Sequence, residues 1–338
     1  MPGSFPGDGS QPLKPDPQTQ SLLQGMAAAG GPALSEMSVT EARHALKEMS
    51  RAMDLPEVGV GRVEDRRVPG AGREIPVRIY WPQPAASAAP APIVLLFHGG
   101  GFALGDIETH DHMARHYCSR AGVIVINVDY RRSPENKFPA GVEDCYTTLE
   151  WAAAQAVTLG GDPARLAVTG DSGGANFSAV LCQLARNRKG PGIAFQALVY
   201  PAMDLSAAAD YPSRRTYGTG EYFLSQADID WIMDMYFRDQ AREGISPLAS
   251  PILAPDLAGL PAALVITAGF DPLVDEGRLY AERLAAAGVP VEYRCFDSTI
   301  HGFMSFAGAL DVGREGLDLV AARLRSHLGH GAEGRSPA

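Results

Sequence analysis

Uninterrupted apolar runs of strand length are the feature that most restricts how this chain folds. Such a run lacks the alternation of apolar and polar residues seen in a half-exposed strand, and it is typical of a strand buried on both faces. The runs lie at Ile93–Phe97, Gly122–Val128 (with one polar residue, Asn127) and Ala262–Thr267. Segments of helical period separate them, which predicts an α/β chain with a mostly parallel central sheet and helices on both faces. Further strands are predicted at 74–81, 165–169, 195–200 and 291–296, and helices at about 109–120, 139–157, 174–187, 275–287 and 312–328.

The alternation is interrupted once, between Pro201 and Leu260. A helical period there predicts an insertion over the carboxyl ends of the strands, where open α/β sheets bind ligands. Its helix begins near Ser225 and Asp228, and a second amphipathic helix over about 39–53 begins at Ser38 and Glu41, both pairs at capping-box spacing. The predicted organisation is a flexible N-terminal extension (1–34), an N-terminal cap helix segment (35–60), an α/β domain (61–202 and 251–330), a cap insertion (203–250) and a tail (331–338).

The composition excludes several classes of function. A formal charge of −10 on 338 residues disfavours nucleic acid and anionic membrane surfaces as partners, because both repel an acidic protein. No apolar run reaches the roughly 20 residues that span a bilayer. Residues 1–8 lack the basic and apolar regions of a signal peptide, and we expect a cytoplasmic protein. The scattered cysteines have neither metal-binding nor redox spacing and are typical of reduced thiols: Cys118, Cys145, Cys182 and Cys295.

The sequence Gly170-Asp171-Ser172-Gly173-Gly174 ends a short apolar run and precedes a helical segment. Strand, sharp turn and helix in this order, with a serine at the apex, form the spacing of a nucleophile elbow. Small residues on either side let the strand and the helix approach each other, and the N–H groups of the new helix favour negative charge near the serine. Ser172 is therefore the candidate nucleophile.

A serine hydroxyl needs a base to take its proton, and histidine is the usual one. In the chain order typical of this elbow, the acid and then the histidine follow the serine. His301 lies after a predicted strand, whereas His327 and His330 lie in the last helix and the tail. His301 is therefore the candidate base.

The candidate acid lies between Ser172 and His301. Asp271 follows the buried run 262–267 after a short loop, which is the position that the acid needs. Asp275 fits a helix N-terminus, and Asp297 fits the exit of the strand before His301. Asp271 is the preferred acid.

Three consecutive glycines follow the first buried strand in His98-Gly99-Gly100-Gly101. Glycines let backbone N–H groups turn inward, so two of these groups together with that of Gly173 would bind the oxyanion of a tetrahedral intermediate. The alternatives are a plain glycine-rich turn and a phosphate-binding loop, although the Gly-Lys-Ser/Thr sequence of the latter is missing. We expect His98 to hold the loop rather than act as a base.

Two other groups of residues suggest different chemistries. His110, His112 and His116 resemble a metal cluster, but without a carboxylate motif we interpret them as polar residues on a helix surface. Cys145 and Cys182 have no matched histidine and asparagine, which argues against a cysteine nucleophile.

The motifs resemble those of the bacterial hormone-sensitive-lipase-like carboxylesterases (family IV esterases) of the α/β-hydrolase fold, over about residues 38–328. The matching segments are His98–Phe102, Asp129–Arg131, Pro134–Glu135, Phe138–Ala140, Gly170–Ser172, Asp271–Leu273 and His301–Phe303. The resemblance implies Ser172 as nucleophile, Asp271 as acid, His301 as base, and Gly100, Gly101 and Gly173 as oxyanion donors. It further implies a helical cap, a small-molecule ester substrate with a short acyl chain, tolerance of bulky alcohols, and a homodimer through the sheet edge. No cofactor or metal is expected.

Two positions depart from the pattern of the family. Gly173 stands where alanine is usual, and Arg132 stands where an apolar residue is usual. The expected function is a serine carboxylesterase acting on short-to-medium acyl esters through an acyl-serine intermediate. The alternatives are amide or lactam cleavage, acyl transfer, and an inactive small-molecule receptor like the plant gibberellin receptors, which have lost the base. The presence of His301 disfavours the receptor, and the acidic composition disfavours a lipase that acts at an oil interface.

Overall fold

The computed structural model describes residues 14–83 and 89–329. Its strands are β1 (Arg62–Gly70), β2 (Arg73–Trp81), β3 (Ala91–Phe97), β4 (Ile124–Val128), β5 (Gly161–Asp171), β6 (Phe195–Val199), β7 (Ala262–Phe270) and β8 (Val291–Ile300). Its α-helices are α1 (Pro17–Ala29), α2 (Val39–Ala52), α3 (Asp111–Ala121), α4 (Ala140–Gln155), α5 (Gly173–Arg188), α6 (Pro212–Tyr217), α7 (Gln226–Tyr236), α8 (Gln240–Glu243), α9 (Val274–Ala286) and α10 (Asp311–Leu328).

All eight strands of the described residues belong to one sheet, in the spatial order β1-β2-β4-β3-β5-β6-β7-β8. Strand β2 is antiparallel to both of its neighbours, and every other pair is parallel. The prediction of a mostly parallel sheet is therefore confirmed. Strands β3 and β5 lie side by side in its interior, and each leads directly into a loop of the candidate site.

The residues of β3 show how the sheet is buried on both faces. Ile93, Leu95 and Phe97 belong to the cluster packed under α4, α5 and α9, whereas Val94 and Leu96 belong to the cluster packed under α3 and α10. Successive side chains of a strand point to opposite faces, so a continuous apolar run supplies both cores at once.

Strand β1 was not predicted from the sequence. It forms the edge of the sheet and carries charged residues at most positions between Arg62 and Arg67, with only Val68 fully buried. Charges on an edge strand resist pairing with another chain. They also remove the apolar pattern by which the other strands were recognised.

The expectation of a flexible N-terminal extension is wrong for residues 17–29, which form α1. Asp16 caps this helix by accepting hydrogen bonds from the N–H groups of Gln18 and Thr19, and Thr19 is fully buried with its hydroxyl 3.2 Å from that of Thr299 in β8. A contact between residues so far apart in the chain leaves no local pattern. Residues 1–13 and the predicted tail from 331 lie outside the described residues.

The helices at the two predicted capping boxes are present. Ser38 and Glu41 cap the start of α2, and Ser225 and Asp228 cap the start of α7. The Ser35 N–H donates to Asp228 at 3.0 Å, so the segment that precedes α2 is joined to the 203–250 insertion. Among residues 14–83 and 89–329, no helix is both long and apolar enough to cross a membrane.

Candidate active site

The turn between β5 and α5 carries Ser172 at its apex. Ser172 has φ 52° and ψ −118°, a backbone conformation that costs a residue other than glycine of order 1–3 kcal/mol. A Cβ atom on Gly174 would overlap the carbonyl of Phe97 at the end of β3. The first turn of α5 can therefore approach β3 only because this position has no side chain.

His301 lies between Ser172 and Asp271. Its Nε2 is 3.1 Å from the Ser172 Oγ, and its Nδ1 is 2.7 Å from Oδ2 of Asp271. Each of the three residues comes directly after the last residue of a strand, β5, β7 and β8 respectively. Because these strands are parallel, the three side chains meet at one edge of the sheet. The structure thus brings together the three residues singled out in the sequence.

The competing residues lie elsewhere. Asp275 accepts a hydrogen bond from the Ser213 N–H at 2.9 Å, and Asp297 lies within β8. The exposed His327 stacks on Phe195, with ring centroids 4.1 Å apart. His330 lies outside the described residues.

The carboxylate of Asp271 is fully buried and held from its other side. Its Oδ1 accepts the Leu273 N–H at 2.8 Å, and the ring of His301 packs against Tyr200. With the Nδ1 proton donated to Asp271, the Nε2 lone pair of His301 faces the serine hydroxyl. This is the arrangement that a general base needs.

The glycine loop after β3 lies beside Ser172. Gly100 and Gly101 have φ values of 101° and 59°, in the region that favours glycine. The N–H of Gly99 is occupied by Asp171, at 2.8 Å. The next two N–H groups, with that of Gly173, belong to residues that line the same cavity as Ser172.

His98 at the start of this loop has the structural environment expected for it. It is fully buried, its Nδ1 is 3.0 Å from both the Gly99 carbonyl and the Tyr130 hydroxyl, and its ring stacks on that of Tyr130. Burial lowers the pKa of the His98 imidazole to about 3, so it stays neutral.

The interpretation of His110, His112 and His116 as a helix-surface group is wrong. All three are buried, with 4%, 7% and 5% of their surface exposed. His110 contacts Asp171, and His116 contacts Asp318. They point to different partners, and no group of metal-binding side chains is found among the described residues.

An apolar cavity, partly open to solvent, lies over Ser172 and His301. Two segments outside the α/β core cover it. The N-terminal segment contributes Leu34, Leu46 and Met49, and the insertion contributes Leu205, Phe223, Leu224, Ile229, Ile232 and Met233. The cavity surface above the serine is therefore mainly apolar.

A buried ion pair joins the insertion to α9, the helix that follows the Asp271 loop. Arg214 in α6 donates to Glu276 in α9 at 2.7 Å, and Glu276 also accepts the Met203 N–H at 2.7 Å. Next to it, the Ser213 hydroxyl donates to the Pro272 carbonyl at 2.7 Å. Sequence reasoning missed the contact between Arg214 and Glu276, because these residues are 62 positions apart and no motif joins them.

Two arginines support the far end of the glycine loop. Arg132, one of the departures from the family pattern, donates to the Gly105 carbonyl at 2.8 Å. Arg43 in α2 donates to the Ala103 carbonyl at 2.7 Å and forms a paired contact with Glu135 at 2.7 and 2.8 Å. The second charge of the 130–135 run therefore has a structural role.

Comparison with known families supports the fold. A sequence model described as the alpha/beta hydrolase fold matches residues 94–305. The chain belongs to the hormone-sensitive-lipase-like branch of the alpha/beta hydrolase fold.

Relatives in this hydrolase family are named for ester hydrolysis. Carboxylic ester hydrolase LipN of Mycobacterium tuberculosis is 39% identical, over 93% of this chain and 83% of its own length. Carboxylesterase NlhH of the same species is 40% identical, over 86% of this chain and 90% of its own length. An arylesterase of Saccharolobus solfataricus is 36% identical, over 86% of this chain and 92% of its own length.

Solved structures of the family superpose closely on this one. The ester hydrolase EH1AB1 from the metagenome of Lake Arreo, in complex with a bipyridine phosphonate derivative, has a TM-score of 0.88 at 39% identity, covering 93% of this chain and 99% of that one. The hyperthermophilic esterase of Pyrobaculum calidifontis has a TM-score of 0.87 with the same identity and coverage. The hydrolase fold predicted from the motifs is confirmed.

Proposed function

We propose that this protein is a serine carboxylesterase that hydrolyses short-to-medium acyl esters through an acyl-Ser172 intermediate. The observation that carries the proposal is the continuous hydrogen-bonded series from Asp271 through His301 to Ser172, at the base of an apolar cavity. The esterase names of relatives that match most of the chain support it.

In the first half of the reaction, His301 takes the Ser172 proton as Oγ attacks the ester carbonyl carbon. The N–H groups of Gly100, Gly101 and Gly173 receive the oxyanion that forms, and each such donor contributes about 3–4 kcal/mol to the barrier reduction. His301 then returns the proton to the alkoxide, which leaves as the alcohol.

In the second half, water replaces the alcohol. His301 takes a proton from water as its oxygen attacks the acyl carbon, and it returns the proton to Ser172 as the carboxylic acid leaves. Asp271 orients the imidazole throughout and stabilises its charged form. These steps use no cofactor.

The cavity favours uncharged substrates of limited size. A second groove beside α1 and α2 shares Leu34, Met49 and Phe223 with it, which supports acyl chains of medium as well as short length. We further propose that 35–60 and 203–250 form a cap over the 61–202 and 251–330 catalytic domain, and that bulky alcohols are accepted.

Two parts of the proposal concern the whole molecule. All four cysteines are unpaired thiols, which supports a reducing, cytoplasmic environment. The charged edge strand β1 resists pairing with another chain, so we propose a homodimer through the opposite edge of the sheet, β8.

The proposal is tested with p-nitrophenyl esters whose acyl chains have roughly two to twelve carbons, so that the series extends beyond the chain length that a small ligand cavity accepts. We expect S172A to lose at least about 10⁴-fold in kcat, while S326A, a serine-to-alanine change on the exposed face of α10, retains wild-type turnover. An S172A protein with wild-type activity refutes the assignment of the nucleophile. A rate that rises steadily up to twelve carbons refutes the chain-length preference.

A further inference from the structure

A second buried aspartate–histidine pair lies next to the triad, and the reaction described above does not use it. Asp171 directly precedes Ser172 and is 5% exposed. Its Oδ1 accepts the Gly99 N–H at 2.8 Å and lies 2.9 Å from Nε2 of His110. The Tyr200 hydroxyl lies 3.5 Å from Oδ2.

The hydrogen bonds around His110 determine which atoms donate. The Thr109 Oγ1 is 2.8 Å from Nδ1 of His110 and 2.8 Å from the Asp106 carbonyl. A carbonyl only accepts, so the single hydroxyl hydrogen of Thr109 belongs to that bond. Nδ1 of His110 then donates to Thr109. Nε2 lies 2.9 Å from Oδ1 of Asp171 and 3.1 Å from the Gly99 nitrogen, so the imidazole and the Gly99 N–H converge on one carboxylate oxygen.

This pattern places a compensated negative charge behind the catalytic serine. Burial by itself disfavours the ionised form of Asp171, but His110 and the Gly99 N–H together hold the pKa of Asp171 below its ordinary value. A buried carboxylate of this kind is stable only while its hydrogen-bond donors remain in place.

The two residues joined by this carboxylate are chain neighbours of the groups that would act on the substrate. Asp171 precedes the nucleophile, and Gly99 precedes the donor Gly100. One carboxylate therefore joins the residue before the serine to the residue before the oxyanion donors. The fit is tight, since a Cβ atom on Gly99 would overlap the Asp171 carboxylate.

We propose that Asp171 and His110 are positioning residues that fix the glycine loop relative to Ser172, so that the oxyanion donors lie at the correct distance from the serine. The expected effect on kcat rests on the proposed ester hydrolysis. The expected effect on the glycine loop rests on the hydrogen bonds alone. Displacement of a reacting group by about 1 Å costs roughly 10²-fold in rate.

The test compares H110A with H110Q in the full-length protein. Glutamine carries its amide nitrogen near the place of Nε2 and can donate to Asp171, whereas alanine cannot. We expect H110A to lose roughly 10- to 100-fold in kcat with little change in KM, and H110Q to stay within about threefold of wild type. Inhibition by a trifluoromethyl ketone, whose adduct with the serine carries an oxyanion, weakens by the same factor as kcat/KM in H110A.

Hydrogen exchange of the peptide over 97–104 provides a readout that is independent of turnover. We expect faster exchange there in H110A and wild-type exchange in H110Q. D171N, which keeps the side-chain volume, replaces H110A if that variant fails to fold, and it is expected to show the same two effects. Equal kcat and equal exchange in H110A and wild type overturn the proposal, as does a rise in KM alone. If the wild-type protein hydrolyses no ester, the proposed function fails while the exchange result still decides the positioning role.

Discussion

His301 and His110 are both buried imidazoles paired with an aspartate that is itself buried, yet their surroundings give them different roles. The second nitrogen of His301 faces the Ser172 hydroxyl at 3.1 Å. The second nitrogen of His110 faces the hydroxyl of its own neighbour, Thr109. The His301 pair has the geometry to move a proton to and from a substrate, and we propose that the His110 pair holds the backbone N–H of Gly99 in place. The role of such a histidine is therefore set by the partner of its second ring nitrogen and not by its contact with an aspartate.

The largest expected effect separates these two roles directly. H301Q leaves a side chain that cannot accept and return a proton, and we expect kcat to fall at least about 10⁴-fold. The same substitution at position 110 keeps the contact with Asp171 and preserves most of the activity. Steady-state kinetics on p-nitrophenyl butyrate measure both variants, and similar losses in the two refute the distinction.

The next effect concerns the support of Asp271 by the insertion. R214M leaves Glu276 buried without its ion-pair partner, and we expect the free energy of unfolding to fall by about 3–5 kcal/mol. Burial already raises the pKa of Glu276 in the presence of Arg214, so the variant is also expected to take up a proton on folding. Urea denaturation measures the change.

The control for that prediction is R278M, since Arg278 forms an ion pair with Glu282 on the exposed side of the same α9 helix. We expect it to change the free energy of unfolding by less than about 0.5 kcal/mol. Equal effects of R214M and R278M contradict the importance of burial at the insertion contact.

A smaller effect is expected at Gly173, where the family usually has alanine. A Cβ atom there would lie 3.1 Å from a ring carbon of Phe102, and that ring stacks on Tyr236. Replacing glycine by alanine makes the unfolded chain less flexible, which can raise the free energy of unfolding by about 0.4–1 kcal/mol. The crowding against Phe102 opposes this gain. We therefore expect G173A to change the free energy of unfolding by less than about 1 kcal/mol and kcat by less than about threefold. A tenfold loss in kcat shows that the oxyanion donor needs glycine.

The smallest effect is a pH dependence at the other end of the glycine loop. Hydrogen bonds from Arg43 lower the pKa of Glu135 from 4.5 to about 2. A carboxylate whose pKa is lowered in the folded state stabilises the fold above its ordinary pKa and loses that contribution as the pH falls toward the folded value.

We therefore expect wild type to be slightly more stable than E135Q above pH 4.5, with the difference shrinking as the pH falls from 4.5 toward about 2. Thermal unfolding at a series of pH values measures this, with E221Q as an exposed glutamate control. A difference that is constant down to pH 2 contradicts the role of the ion pair.

The triad was predictable because each member lies within about five residues of the end of a strand that the sequence reveals, and in the structure these strands extend up to the residue before it. The buried runs place β5 and β7, the segment 291–296 places β8, and the chain order then leaves few candidates for the acid and the base.

The residues that sequence reasoning misjudged depend on distant contacts. His110 lies in a polar segment that is typical of an exposed helix, and only the folded chain brings Asp171, 61 residues away, to its ring. Helix α1 is held by Thr19 against Thr299 across 280 residues. Local periodicity carries no information about such partners, so buried polar networks are the part of this fold that the sequence does not reveal.

The most direct test of the proposed chemistry is the mass of the protein during turnover. Wild-type enzyme mixed with p-nitrophenyl butyrate and quenched in acid is expected to carry one butyryl group, located by peptide mass spectrometry on Ser172 and missing in S172A. H301Q is expected to acquire the same group far more slowly, whereas H110Q acquires it at nearly the wild-type rate. Turnover with no acyl group on Ser172, or a butyryl group on another residue at full activity, contradicts the account.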